Sequence, residues 1–220
     1  MVVTLAIDAS TYVGSVAVLD GNRVLADAEV AMRGRNEERL MPAVAETLRR
    51  SGLTLSNVGA IVCGGGPGSF TSLRIAASLA KGMALGADKP LFAVSSLALI
   101  VAGNVAHHAG APTRYLAALD AMRDEYFVAA FEHRAGGLFA TGDPRLVPKA
   151  EIALVAAAAQ ASVVGPDVGE RWAPRARGVA LLDDDIRTQG PVNLADWEPT
   201  YGRLAEAQAK WEAAHGALPR

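Results

Sequence analysis

Hydrophobic positions along this chain come first in strand-like runs and then at helical spacing. Residues 2–7 are a near-continuous apolar stretch that stops at Asp8, the pattern of a strand buried on both faces. Residues 13–19 predict a second strand, and Asp20-Gly21-Asn22 a tight turn. Over 23–30, Ala26, Ala28 and Val30 face one way and Asp27 and Glu29 the other, so the chain opens as an antiparallel three-strand meander. Over 36–51 the period becomes helical. Leu40, Met41, Val44, Ala45 and Leu48 form one apolar stripe, and Gly52 is the stop. Pro42 predicts a kink or a delayed start there. A strand over 58–63, a glycine-rich loop, a helix over 71–85, a strand over 91–94 and a helix over 97–106 follow.

The plan then repeats weakly. A strand over 115–119 ends in Asp120, as the first ended in Asp8. A strand over 126–131, a turn at Gly136-Gly137, a helix over 152–160 and a strand over 161–164 come next. The last runs into Gly165-Pro166-Asp167, an echo of Gly66-Pro67-Gly68. The order predicts an α/β fold of two related lobes, 1–108 and 109–220, the second reduced and closed by a charged helix over 203–215.

Composition narrows the function. The 220 residues are 51% hydrophobic, enough for a substantial core. The net charge is −2 and no long basic run occurs, which argues against tight nucleic-acid binding by this chain alone. Cys63 is the single cysteine, so no internal disulfide forms, and its place at a strand end reads as a small buried hydrophobe. The N-terminus lacks a signal-peptide pattern, which points to a cytoplasmic protein. The longest apolar stretch, over 152–164, is short and interrupted by Gln160, so no membrane span is expected.

The glycine loop and its helix, CGGGPGSFTSLRIAASLAKG over 63–82, hold the most specific signal. A P-loop lysine is missing, and the spacing of a dinucleotide fingerprint is incomplete. The glycines provide either a tight strand-to-helix turn or backbone N–H groups for an anion, and spacing alone favours the turn. Ser69 or Thr71 reads as a helix cap, since no G-x-S-x-G surrounds Ser69. Asp8, Ser10 and Thr11 sit at a strand end suited to a phosphate and its metal, or to an ordinary turn cap. With Gly65, Gly66, Gly68 and the equivalent Asp120 they form the candidate nucleotide or anion site. His107-His108 has no third ligand at metal-site spacing. The helix after the loop is apolar on two adjacent faces. It is either buried within the chain or part of a subunit interface together with the first helix.

Gly64-Gly65-Gly66-Pro67-Gly68-Ser69-Phe70-Thr71-Ser72-Leu73-Arg74-Ile75 resembles the G-x-G-P-G-S-F-T-G-[VL]-R-I signature of the bacterial TsaB (YeaZ) family. Leu5-Ala6-Ile7-Asp8-Ala9-Ser10-Thr11 is similar to its opening L-A-I-D-T-S-T, residues 36–42 to H-S-E-x-L-L-P, and residues 199–203 to P-x-Y-x-R. Asn36, Ser72 and the Arg123 of Asp120-Ala121-Met122-Arg123 depart from the family pattern of His, Gly and an Arg one place earlier.

The resemblance implies an actin-like ATPase (ASKHA, ribonuclease H-like) fold and a non-catalytic subunit of the tRNA threonylcarbamoyladenosine (t6A) machinery. It implies pairing with the catalytic paralogue TsaD, recruitment of the ATPase TsaE, and self-pairing when the partner is absent. Together they transfer threonylcarbamoyl from its adenylate to N6 of adenosine 37 in tRNA, which this chain reaches only through the complex. The metal ligands of TsaD, H-x-x-x-H, fall near Ser96 and Ile100 here, so ATP and metal are expected on the partner subunits and no cofactor on this one. The implied interface comprises Leu40, Met41, Val44 and Leu48 with Arg74, Ile75, Ser78, Leu79, Gly82 and Met83. The alternative is a small-molecule kinase or ATPase of the same fold, with Asp8 and Asp120 around Mg-ATP. A metallopeptidase is disfavoured, since no metal-ligand cluster is apparent in the sequence.

Overall fold

A computed structural model describes residues 2–32, 39–105, 114–134 and 137–202. The first sheet is built from β1 (Val3–Asp8), β2 (Val13–Asp20), β3 (Arg23–Ala31), β4 (Ala60–Gly64) and β5 (Leu91–Val94) in the order β3-β2-β1-β4-β5. The first three strands are the antiparallel meander; β4 and β5 add in parallel on the other side of β1.

The second sheet repeats the scheme with β6 (Arg114–Asp120), β7 (Glu125–Arg134), β8 (Gly137–Ala140), β9 (Arg145–Pro148), β10 (Ser162–Gly165) and β11 (Glu170–Arg171). Its order is β11-β10-β6-β7-β8, with β9 also paired to β7. Again a meander flanks the founding strand on one side and parallel strands on the other. The expected repeat is therefore present in strand order and direction.

Alternation along the strands sorts side chains into three cores. Leu5, Ile7, Val16 and Val18 point to one face of the first sheet, where α1 (Leu40–Arg50) and α2 (Phe70–Ala87) cover them. Ala6, Ala17 and Leu19 point to the opposite face and share a core with Ala117, Leu119, Phe127, Ala129 and Phe131 of the second sheet. That shared core holds α3 (Ser96–Ala102) and α5 (Val179–Gln189). On the outer face of the second sheet, Leu116, Ala118 and Val128 cluster with Ala156 of α4 (Ile152–Ala159). The layers run helix, sheet, helix, sheet, helix. One helix covers the outer face of the second sheet where two cover the first.

Several elements differ from the sequence reading. α1 begins at Leu40, and residues 33–38 lie outside the described residues. Pro42 therefore occupies the third helical position, where a missing N–H costs nothing because first-turn N–H groups lack helical acceptors. α2 starts one residue early and runs to Ala87, where Asp88 caps it in the left-handed region at φ 52°. α5, β9 and β11 are additional elements. Residues 203–215 lie outside the described residues, as do His107 and His108. Among the described residues no helix is long and apolar enough to cross a membrane.

Because α3 is buried along its whole length between the sheets, it ties them into one cooperative unit. Leu97 is completely buried there. Leu97→Ala is expected to cost about 2–5 kcal/mol. Urea unfolding followed by tryptophan fluorescence should show a lower midpoint and still a single transition.

Candidate functional site

The glycine loop is fixed by contacts reaching it from three directions. β1 delivers Asp8, whose carboxylate is fully buried. Its Oδ1 accepts the Ser10 N–H at 2.9 Å and the Ser10 hydroxyl at 2.8 Å; Oδ2 accepts the Ser96 hydroxyl at 2.6 Å. Ser96 is the first residue of α3, and its Oγ also accepts the Gly66 N–H at 3.1 Å while its own N–H donates to the Gly66 carbonyl at 2.9 Å. The Gly65 N–H donates to Val94 O, the Ser69 N–H to Ser10 O and the Thr200 N–H to Gly65 O, each at 2.7 Å.

Packing explains the glycines. A Cβ on Gly64 would overlap the Asp8 carboxylate. Gly66 adopts φ +90°, and a Cβ there would overlap the Thr200 carbonyl.

These bonds use several of the groups that an anion or a metal would need, and a Cβ on Gly68 would overlap the Ser10 carbonyl. The N–H groups of Gly65, Gly66 and Ser69 are spent within the chain, and Pro67 has none. Both Asp8 oxygens face inward and are occupied. Asp8 and Ser10 thus hold the loop to β1, and their geometry does not fit a phosphate-bound metal. Thr11 makes a local turn, its hydroxyl donating to Val13 O at 3.0 Å and accepting the Val13 N–H at 3.1 Å. Burial is the main effect on the Asp8 carboxyl and pushes its pKa up, against the three hydrogen bonds. Burial likewise raises the Cys63 thiol, which sits in the core as expected.

Asp120 is not joined to this cluster. It lies at the exposed end of β6, accepts the Met122 N–H at 2.8 Å and pairs with Lys149 at 3.2 Å. That hydrogen bond is the main cause of the raised pKa of Lys149. The turn beyond it is unusual: Met122, Arg123 and Asp124 all adopt positive φ, 62°, 52° and 58°.

The two-helix face is divided. Leu40, Val44, Leu48 and Met83 belong to the chain's own core, so the expectation that they contact a partner is corrected. Their stripe is the one each helix turns toward the first sheet. Ile75 and Leu79 are half-buried against the same core. Met41, Arg74, Ser78 and Gly82 are exposed. A Cβ on Gly82 or Gly86 would meet nothing within 4 Å among the described residues. With Ser78 these glycines form an exposed row at a spacing of four residues.

A segment invisible to periodicity flanks this helix. Residues 190–202 return along α2, with Val192, Leu194 and Trp197 packed on its core. The Val192 N–H donates to Leu91 O at 2.8 Å. Trp197 and Thr200 also line a cleft of about 540 Å³ with Gly65, Gly66, Phe127 and Leu146.

The buried Asp8 gives a pH prediction. A carboxyl whose folded pKa is raised binds more protons in the native state than in the unfolded one. Its contribution to stability therefore falls as pH rises from about 4 through the folded pKa. Asp8→Asn should remove that slope. Denaturant titrations of both proteins between pH 4 and pH 8 measure the difference.

Comparison with known proteins agrees with this architecture. The family model described as "TsaD: tRNA N6-adenosine threonylcarbamoyltransferase" matches residues 29–144. The tRNA threonylcarbamoyladenosine biosynthesis protein TsaB of Escherichia coli K12 is 37% identical over 148 residues, 67% of this chain and 63% of that protein, so the match spans less than two thirds of its length. The Bacillus subtilis protein of the same name is 27% identical over 94% of this chain and 96% of its own. The solved structure of YeaZ from Pseudomonas aeruginosa superposes with a TM-score of 0.76 at 30% identity, covering 91% of this chain and 100% of that one. The two-sheet α/β arrangement is shared with that YeaZ structure. With 30% identity carried through the whole Pseudomonas chain on one fold, this protein belongs to the TsaB/YeaZ family.

Proposed function

We propose that this chain is a non-catalytic subunit of the t6A machinery. It pairs with the catalytic paralogue TsaD through α1 and α2, and the pair recruits the ATPase TsaE. tRNA is met only within that complex, which suits a chain of net charge −2. ATP and metal act on the partner subunits. Without its partner the chain self-pairs through the same face.

The observation that carries this reading is the row Ser78, Gly82, Gly86 on α2. A glycine inside a helix costs about 1 kcal/mol relative to alanine. Nothing among the described residues requires glycine at 82 or 86. Small residues on an exposed helical row let a second helix approach closely, as in bundle packing. The places aligned with the TsaD metal ligands support the non-catalytic part. Ser96 is fully buried and bonded to Asp8, and Ile100 is fully buried in the shared core. A hydroxyl and an alkyl group there cannot replace two imidazoles.

The cleft beside the glycine loop favours the second reading, a small-molecule kinase or ATPase. Against it stand the occupied oxygens of Asp8 and the Lys149 partner of Asp120. Calorimetry with Mg-ATP on the isolated chain separates the two; micromolar binding with turnover would favour the kinase.

Gly82→Leu is the cleanest test of pairing, because Leu79 is half-buried and a charge there would disturb the chain's own core. The variant should fold with unchanged or higher stability, by up to about 1 kcal/mol, and lose co-purification with TsaD. Retained pairing would remove this face from the interface.

A further inference from the structure

The exposed row of α2 does not begin with small residues. Going toward its N-terminus at the same spacing of four, Gly86, Gly82 and Ser78 lead to Arg74 and then Phe70. These two are large, exposed and locked together. The Arg74 guanidinium carbon lies 4.3 Å from the Phe70 ring centroid. Tyr201, from the returning segment 190–202, packs on Phe70 with ring centroids 4.6 Å apart. Its hydroxyl accepts a hydrogen bond from Arg74 Nε at 3.2 Å. Phe70 remains 39% exposed, a large apolar ring left in solvent at the head of the helix.

This arrangement uses one side of the guanidinium and leaves the other. The Phe70 ring contact and the Nε bond to Tyr201 hold the guanidinium in place. Among the described residues the two terminal nitrogens have no partner, and they can grip a carboxylate bidentately. Arg49, Arg175, Arg177 and Arg187 each pair with a carboxylate of the chain. No carboxylate among the described residues pairs with Arg74. A held, stacked arginine beside an exposed aromatic is the composition of an interface hot spot.

Resting on the pairing proposed above, we infer that Arg74 is the polar anchor of the interface and binds an Asp or Glu carboxylate of the paired subunit. The small half of the row sets how closely the partner helix approaches. The large half sets its register, because the carboxylate must reach a guanidinium held by Phe70 and Tyr201. A nucleic-acid phosphate is the other acceptor a guanidinium can hold. It is disfavoured because Arg74 is the only charged residue on the row Phe70, Arg74, Ser78, Gly82 and Gly86, and phosphate binding needs clustered cations.

The test uses the full chain and the purified paralogous subunit, with Kd measured by calorimetry at several salt concentrations without tRNA. Arg74→Ala should weaken pairing at least about 30-fold and flatten its salt dependence, with the melting temperature little changed. Arg74→Lys should recover little of the loss, because an ammonium offers neither the stack nor the fork. Tyr201→Phe keeps the rings and removes only the orienting hydrogen bond, for a loss of roughly 2- to 12-fold. These two variants keep the test decisive if Arg74→Ala does not fold.

Arg74→Ala within twofold of wild type, with Gly82→Leu abolishing pairing, would overturn the anchor and leave the pairing reading intact. If wild type pairs and neither substitution matters, the anchor and this face both fall while pairing itself stands; if wild type does not pair, the pairing reading falls with them. Unchanged pairing with reduced tRNA retention by the assembled complex would identify a phosphate contact and overturn the carboxylate.

Discussion

One buried carboxylate organises the first half of the molecule. Asp8 ends β1, receives Ser10 from the next turn and Ser96 from the start of α3, and lies against Gly64 at the end of β4. Burying it is costly, and three hydrogen bonds offset part of that cost. The result fixes where β4 stops and where the glycine loop turns. The loop in turn receives Ser69 N–H bonded to Ser10 and Thr200 bonded to Gly65. The direction of α2 follows from those constraints, because the helix starts immediately beyond them.

This gives the family's glycine signature a structural role in the chain. Its residues meet their partners within the chain: Asp8 behind Gly64, Thr200 beside Gly66, Tyr201 on Phe70. The loop acts as a joint connecting β1, α3 and the returning segment 190–202. What it presents outward is one face of α2, graded from Phe70 and Arg74 to Ser78, Gly82 and Gly86.

Much of the framework was legible because strands buried on both faces read as apolar runs. β1, β2 and β4 follow that rule, and the matching acids Asp8 and Asp120 exposed the repeat. α5 was missed although its buried residues Val179, Leu182 and Ile186 stand at helical spacing, because the run Asp183-Asp184-Asp185 interrupts the apolar stretch. β9 has only Val147 buried, too little for a strand pattern. The segment 190–202 has no period, since its order comes from bonds to Leu91 and Gly65, more than a hundred residues away in sequence. At the candidate surface, periodicity identified the apolar stripe of α1 but not what covers it. Leu40, Val44 and Leu48 face the first sheet, and the outward row is marked instead by glycines against which no described residue packs.

We propose that this scaffold serves t6A formation by docking a partner. The most direct measurement is mass spectrometry of tRNA nucleosides after depletion of this protein from its own cells. The account predicts a marked loss of threonylcarbamoyladenosine, restored by the wild-type chain. Unchanged threonylcarbamoyladenosine in depleted cells would contradict it.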